Sequence, residues 1–380
     1  MNMNVSSNRL PSLDLARILA MLMMIAGHTF FSLVNPDLID LNSFPWNWWN
    51  FLRGVTAPVF LTVSGIVQVF ANKREESGKL SPTTVHKRMK TALSLLFIGY
   101  LLMFPAQNLY DIPYISKSIV HTFLSVNILQ LFGITLLLVL LEFVLTRSSK
   151  SLFRISLATG LLIVILTPIV QRINWFQILP YALASYLDPT KGSFFTIFPF
   201  SAYVFLGVSI GTILQRVEST KRLDFIMHKS IIAAPILLVL GMLISFLDFN
   251  VFNNSGNLYR AGIGIIILRL CCVVTMFYIT GVLTKIFKKY ESYFIFFGKK
   301  SLFVYVIHMF ILYGTALTPG INTFFAFQLS IPWALFNILI VLSSTLILSY
   351  LINIYSKINK PVEFLYRGSI AFYLVYVLLI

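Results

Sequence analysis

The chain has 380 residues, of which 58% are hydrophobic and only 11% charged, and its mean hydropathy is +0.85. Soluble domains carry roughly 25% charged residues, so this composition excludes a soluble fold and makes the bilayer the solvent. The net charge of +16 sits between apolar runs rather than on a soluble basic face, which argues against nucleic acid as a partner.

From the N-terminus, Met1 to Ser12 is short and polar, and the next apolar stretch holds Asp14 and Arg17 without a small-x-small cleavage pattern. It reads as a first membrane helix and not as a cleavable signal. Apolar runs then predict ten spans: 13–34, 50–72, 89–107, 120–145, 151–171, 193–215, 229–248, 261–284, 295–317 and 331–354. Each is long enough to cross a hydrocarbon core of roughly 30 Å. Lys and Arg alternate between the segments joining them. Loop 73–90 holds Lys73, Arg74, Lys79, Lys87, Arg88 and Lys90, whereas loop 35–49 holds none. Over the chain, 22 basic residues fall on the side of the N-terminus and 4 on the other. Positive segments stay in the cytoplasm, so both termini are expected there. The last apolar stretch, Ile370 to Ile380, would rise only about 16 Å as a helix and cannot span. The expected fold is an all-α polytopic bundle of about ten helices forming a single membrane domain over residues 1–380.

Ionisable groups inside a bilayer are costly and are functional candidates by default. Arg17 and His28 lie eleven residues apart in the first span, which puts them on one helix face about 16 Å apart along the axis. An Arg fork suits phosphate or carboxylate, and a neutral imidazole takes a proton near physiological pH. Arg17 also reads as a snorkelling residue with Asp14 as its surface partner. Farther along, Asn127 and Gln130 in the fourth span and Arg269 in the eighth are candidate substrate contacts, or polar bridges between helices. Arg53 reads as an interface anchor. His121 and His308 read as interfacial or packed histidines, and His86 and His228 as solvated loop residues. Gly207 and Gly211 form a small-xxx-small pair that predicts a close helix contact. Cys271 and Cys272 are adjacent in an apolar stretch, with neither disulfide nor zinc-ligand spacing, so no metal is expected.

The segment SLDLARILAMLMMIAGHT, residues 12–29, resembles the first helix of the transmembrane acyltransferase superfamily. That superfamily includes the acyltransferase family 3 proteins and the heparan-alpha-glucosaminide N-acetyltransferase-like proteins. The Arg17 to His28 spacing looks like the family 3 signature. The Ser-Leu-Asp-Leu opening and the pieces APVFLTVSG (57–65), NILQLFGI (127–134), FPFSAYVFLGVSIG (198–211) and KPVEFLYRG (360–368) look more like the N-acetyltransferase side. In the latter enzymes the position of His28 is often Asn, with a histidine in the first outer loop. Here the loop Asn35 to Asn50 has no histidine, which moves the expected chemistry to His28.

The resemblance implies transfer of an acyl group, commonly acetyl from cytosolic acetyl-CoA, to a hydroxyl or amine of a glycan or small molecule at the outer face. His28 is then the general base or a transient acyl carrier. Arg17, Lys87, Arg88 and Lys90 would meet the CoA phosphates, and Asp14, Asn127, Gln130 and Arg269 would join Arg17 in contacting substrate. The expected setting is a bacterial cytoplasmic (inner) membrane, with lipids as neighbours and a homodimer left open. A secondary transporter, using buried Arg and His as substrate or proton sites, is the alternative.

Overall fold

Inside a bilayer a backbone must satisfy its own hydrogen bonds, so long apolar runs wind into helices. The computed structural model describes residues 9–106, 109–252, 262–315 and 318–358. The KPVEFLYRG piece and Ile370 to Ile380 lie outside the described residues. In chain order the helices are α1 (Pro11–Leu33), α2 (Trp46–Arg53), α3 (Thr56–Ala71), α4 (Pro82–Leu102), α5 (Lys117–Leu124), α6 (Ile128–Leu145), α7 (Ser149–Val170) and α8 (Tyr181–Ala184). They continue as α9 (Ile197–Arg216), α10 (Arg222–Phe252), α11 (Ile263–Ile286), α12 (Glu291–Lys299), α13 (Ser301–Tyr313), α14 (Ile321–Phe325) and α15 (Ile331–Ile358).

The protein is an all-α polytopic membrane bundle. Among the described residues, eight helical stretches are long and apolar enough to cross a membrane, or nine if α12 and α13, bent by 63°, form one broken span. Of the expected boundaries that change, three bear on the candidate residues. First, α4 begins at Pro82, where Ser81 Oγ accepts from Thr84 N at 3.2 Å and proline sits ready-made at the first helical position. Lys87, Arg88 and Lys90 therefore lie on a helix and not in a loop. Second, the expected span 120–145 divides between α5 and α6. The carbonyl of Val126 accepts from Phe194 N and Phe195 N, each at 3.1 Å, and Val126 N donates to Ser193 Oγ at 3.0 Å. With its backbone satisfied by another segment, the chain there has no need to be helical. Third, the expected span 295–317 is the bent pair α12 and α13.

The chain divides into two compact units, one of Met1–Ala20, Gly54–Leu101 and Leu124–Phe296, the other of Met21–Arg53, Leu102–Phe123 and Phe297–Ile380. In lipid there is no hydrophobic force between helices, so close approach decides which helices pair. In the first unit α3 and α9 pack through reciprocal glycines. A Cβ on Gly65 would fall 2.1 Å from Val204 O, and one on Gly207 would fall 2.2 Å from Thr62 O. Gly211 likewise faces Ile66, so the small-residue pair of α9 does make the expected helix contact. In the second unit Met21, Ile25, Val304 and Val341 form one apolar cluster and Phe30, Val34, Ala334 and Ile338 another. The end of α1 is pinned by backbone bonds, Leu329 N to Leu33 O at 2.8 Å and Asn35 N to Leu329 O at 2.9 Å.

Candidate functional site

His28 lies in the last third of α1, on the second unit. Just before it, Gly27 has no side chain, and the stem of Arg53 packs there: a Cβ would stand 3.1 Å from Arg53 Cγ. The Arg53 guanidinium lies 4.2 Å from the Phe31 ring centroid and donates to Asn50 Oδ1 at 3.0 Å. Arg53, expected as an interface anchor, is thus packed against the stretch of α1 that carries His28.

The His28 ring is half-buried and its Nδ1 lies 3.2 Å from Nε2 of His308 on α13. The two ring planes lie within 27° of each other with centroids 5.4 Å apart, so the nitrogens meet edge to edge. His308 is 0% exposed, and its Nδ1 is 3.4 Å from the carbonyl oxygen of Val304. Tyr305 meets His308 edge-on at 5.2 Å, and Tyr313 meets His28 edge-on at 6.3 Å. Two residues on from His28, Phe30 stacks on Trp49 at 4.4 Å and on Trp46 at 5.3 Å, forming an aromatic block at this end of α1. His308 was expected to be a packed histidine. Nothing in the sequence couples residues 280 positions apart; the available signal was an imidazole in an apolar stretch.

The other predicted residues lie in the first unit. Asp14 is buried and is held bidentately by Arg9, Nε to Oδ2 at 2.7 Å and Nη2 to Oδ1 at 2.9 Å, so its ion-pair partner is Arg9 and the pair is not the surface contact with Arg17 expected from spacing. Arg17 is buried too, with its guanidinium carbon 5.6 Å from the Phe60 ring centroid, where a snorkelling residue would reach water. Asn127 stands at the start of α6. Gln130, one turn on, is fully buried against Gly99, and among the described residues neither the nitrogen nor the oxygen of its amide has a hydrogen-bond partner. Arg269 is buried on α11 within electrostatic reach of Tyr203, whose hydroxyl donates to Ile266 O at 3.3 Å. Lys87 and Lys90 are exposed, while Arg88 is half-buried and donates to Ala71 O at 2.6 Å, tying α4 to the end of α3.

Three features of this unit were not predicted. Arg74 donates to the carbonyls of Gly78 and Phe143 at 2.7 and 3.1 Å, to the Thr146 carbonyl, and to Thr146 Oγ1 at 2.7 Å. It is a cross-link between two turns, and its guanidinium is taken up by backbone. Beside it a cavity of about 360 Å³ is lined in part by Asn72, Lys73, Ser149 and Gln215. Glu142, buried on α6, accepts from Ser156 Oγ at 2.5 Å and Thr159 Oγ1 at 2.8 Å, which satisfies both carboxylate oxygens from α7. Among the described residues no three His, Cys, Asp or Glu side chains converge as metal ligands would.

Residues 9–251 match the family described as heparan-alpha-glucosaminide N-acetyltransferase, catalytic. The match takes in Asp14, Arg17, His28, Asn127 and Gln130 and ends before Arg269 and His308. It falls on the N-acetyltransferase side of the resemblance and not on the wider family 3. None of the curated proteins and no solved structure matches the chain.

Proposed function

The chain belongs to the heparan-alpha-glucosaminide N-acetyltransferase catalytic family, and from that premise we propose that it is a membrane acetyltransferase that moves acetyl from cytosolic acetyl-CoA to a sugar hydroxyl or amine at the outer face. His28 is the general base. The acceptor oxygen or nitrogen adds to the thioester carbonyl as His28 takes its proton. The CoA thiolate then leaves and receives that proton, so the imidazole is neutral again at the end of the cycle. The observation that carries this reading is the half-buried imidazole of His28, backed by a fully buried second imidazole 3.2 Å away in a chain of this family.

Arg17, Lys87, Arg88 and Lys90 supply positive charge for the donor's phosphates. Asn127, Gln130 and Arg269 contact substrate, a role supported for Gln130 by a buried amide without a hydrogen-bond partner among the described residues. Asp14 serves through Arg9, which it anchors at the start of α1. The bias of 22 basic residues against 4 supports cytoplasmic termini, and the membrane is taken to be a bacterial inner membrane. The test is to incubate the purified protein, in vesicles, with labelled acetyl-CoA and a panel of amino and neutral sugars. Sugar-dependent release of CoA with label on the sugar is expected. Label that never reaches a sugar, combined with sugar passage into the vesicles, would replace the enzyme by a transporter.

A further inference from the structure

We propose that His308 is a positioning residue that accepts a hydrogen bond from His28 Nδ1–H and thereby makes Nε2 of His28 the catalytic base nitrogen. The inference rests on the reading of His28 as base and adds which nitrogen acts and what holds it. A backbone carbonyl can only accept, so with Val304 O at 3.4 Å from His308 Nδ1 the proton of neutral His308 belongs on Nδ1. Its Nε2 is then a lone pair. At 3.2 Å from that lone pair, His28 Nδ1 must bring the proton, which leaves the lone pair of His28 on Nε2. The opposite tautomers would set two acceptors, His308 Nδ1 and Val304 O, against each other in a place 0% exposed, where no water relieves them.

The chain of bonds therefore runs one way, from His28 through His308 to the backbone of α13. When Nε2 takes the acceptor's proton, Nδ1–H still points into His308, so the imidazolium gains a partner without turning. A buried carboxylate plays this part behind the histidine of a Ser-His-Asp triad; here a neutral imidazole does so. Among the described residues, the groups facing the pair are Tyr305 and Tyr313, at the ring contacts given above, and Arg53, packed at Gly27. None is a carboxylate, so His308 is the acceptor the geometry offers. His308 lies beyond residues 9–251, outside the stretch that the family match covers.

The test uses three substitutions in the full chain, with kcat, KM for acetyl-CoA and sugar, and acetyl-CoA binding measured on monodisperse protein. The amide of Gln reaches the position of Nε2 and can accept there, whereas that of Asn reaches only the position of Nδ1. His308→Gln is expected to stay within about fivefold of the parent kcat, while His308→Asn and His308→Phe fall by about 10²-fold at unchanged KM, the scale of lost orientation. Full kcat in the Asn or Phe variant overturns the proposal. So does a Gln variant as slow as the Phe one, because then packing and not hydrogen bonding is the role. His28→Ala separates the two readings. If it keeps turnover, the base assignment itself falls; if it is inactive while His308→Phe is active, only the tautomer role falls.

Discussion

Glu142 and His28 are both ionisable groups inside apolar helices, and their surroundings differ in one respect. Both oxygens of Glu142 are occupied by hydroxyls of the next helix, and the cluster closes on itself within the α6–α7 hairpin. His28 has one nitrogen engaged by His308, is half-buried, and has no hydrogen bond to its other nitrogen among the described residues. Burial of a polar group thus has two meanings in this protein. A satisfied cluster joins helices; a half-satisfied one, under the function proposed above, is the place where a substrate would bind.

The largest effect that tests this contrast is at His28. His28→Ala should lose 10²- to 10⁴-fold in transfer rate while still inserting and binding acetyl-CoA, and His28→Asn should be nearly as slow, since it keeps hydrogen bonding without taking a proton. Transfer should also decline on acidification, as an imidazole already protonated by solvent cannot act as base. Near-normal turnover by either variant would erase the distinction between the two clusters.

Next in size is the α3–α9 seam, which belongs with Glu142 on the structural side. Gly65→Leu would drive a side chain into the backbone at Val204 and should cost about 3 kcal/mol or more, read as a lower melting temperature. The protein that does fold should transfer acetyl normally, and a specific loss of turnover at full stability would move the seam into the site.

A smaller effect is expected at Arg17. Arg17→Ala should weaken acetyl-CoA binding roughly tenfold, about 1.4 kcal/mol, and Arg17→Lys should recover only part, because an ammonium lacks the planar fork. Unchanged affinity would make Arg17 a packing residue against Phe60.

The smallest change is predicted for Glu142→Gln, whose amide keeps the shape while the hydroxyls of Ser156 and Thr159 rotate to suit it. Transfer should stay within about threefold of the parent. A larger loss would mean that the negative charge itself matters and that the closed cluster is functional after all.

Much of the fold was legible because hydropathy acts locally. Each of the ten apolar runs contains helix, and Pro11 and Pro82 stand at helix starts. The boundaries that moved did so for reasons outside their own segments. The break before Asn127 exists because residues 193–195 satisfy the backbone of Val126, and the spacing of residues 120–145 carries no trace of that. Helix periodicity makes Asp14 and Arg17 neighbours, and the two stay within electrostatic reach, but the carboxylate of Asp14 is held bidentately by Arg9, which lies outside the helix.

By itself, then, the sequence determined that the protein is an all-α membrane bundle, that Arg17 and His28 ride on one helix, and that its first two thirds belong to an acetyltransferase family. Those properties depend on hydrophobic runs and local spacing, which residues express without distant partners. Only the tertiary structure decided that His308 backs His28, that Arg74 is spent on carbonyls and that Glu142 is closed off. Hydrogen bonds reach about 3 Å whatever the separation in sequence, and which groups come that close is settled by packing.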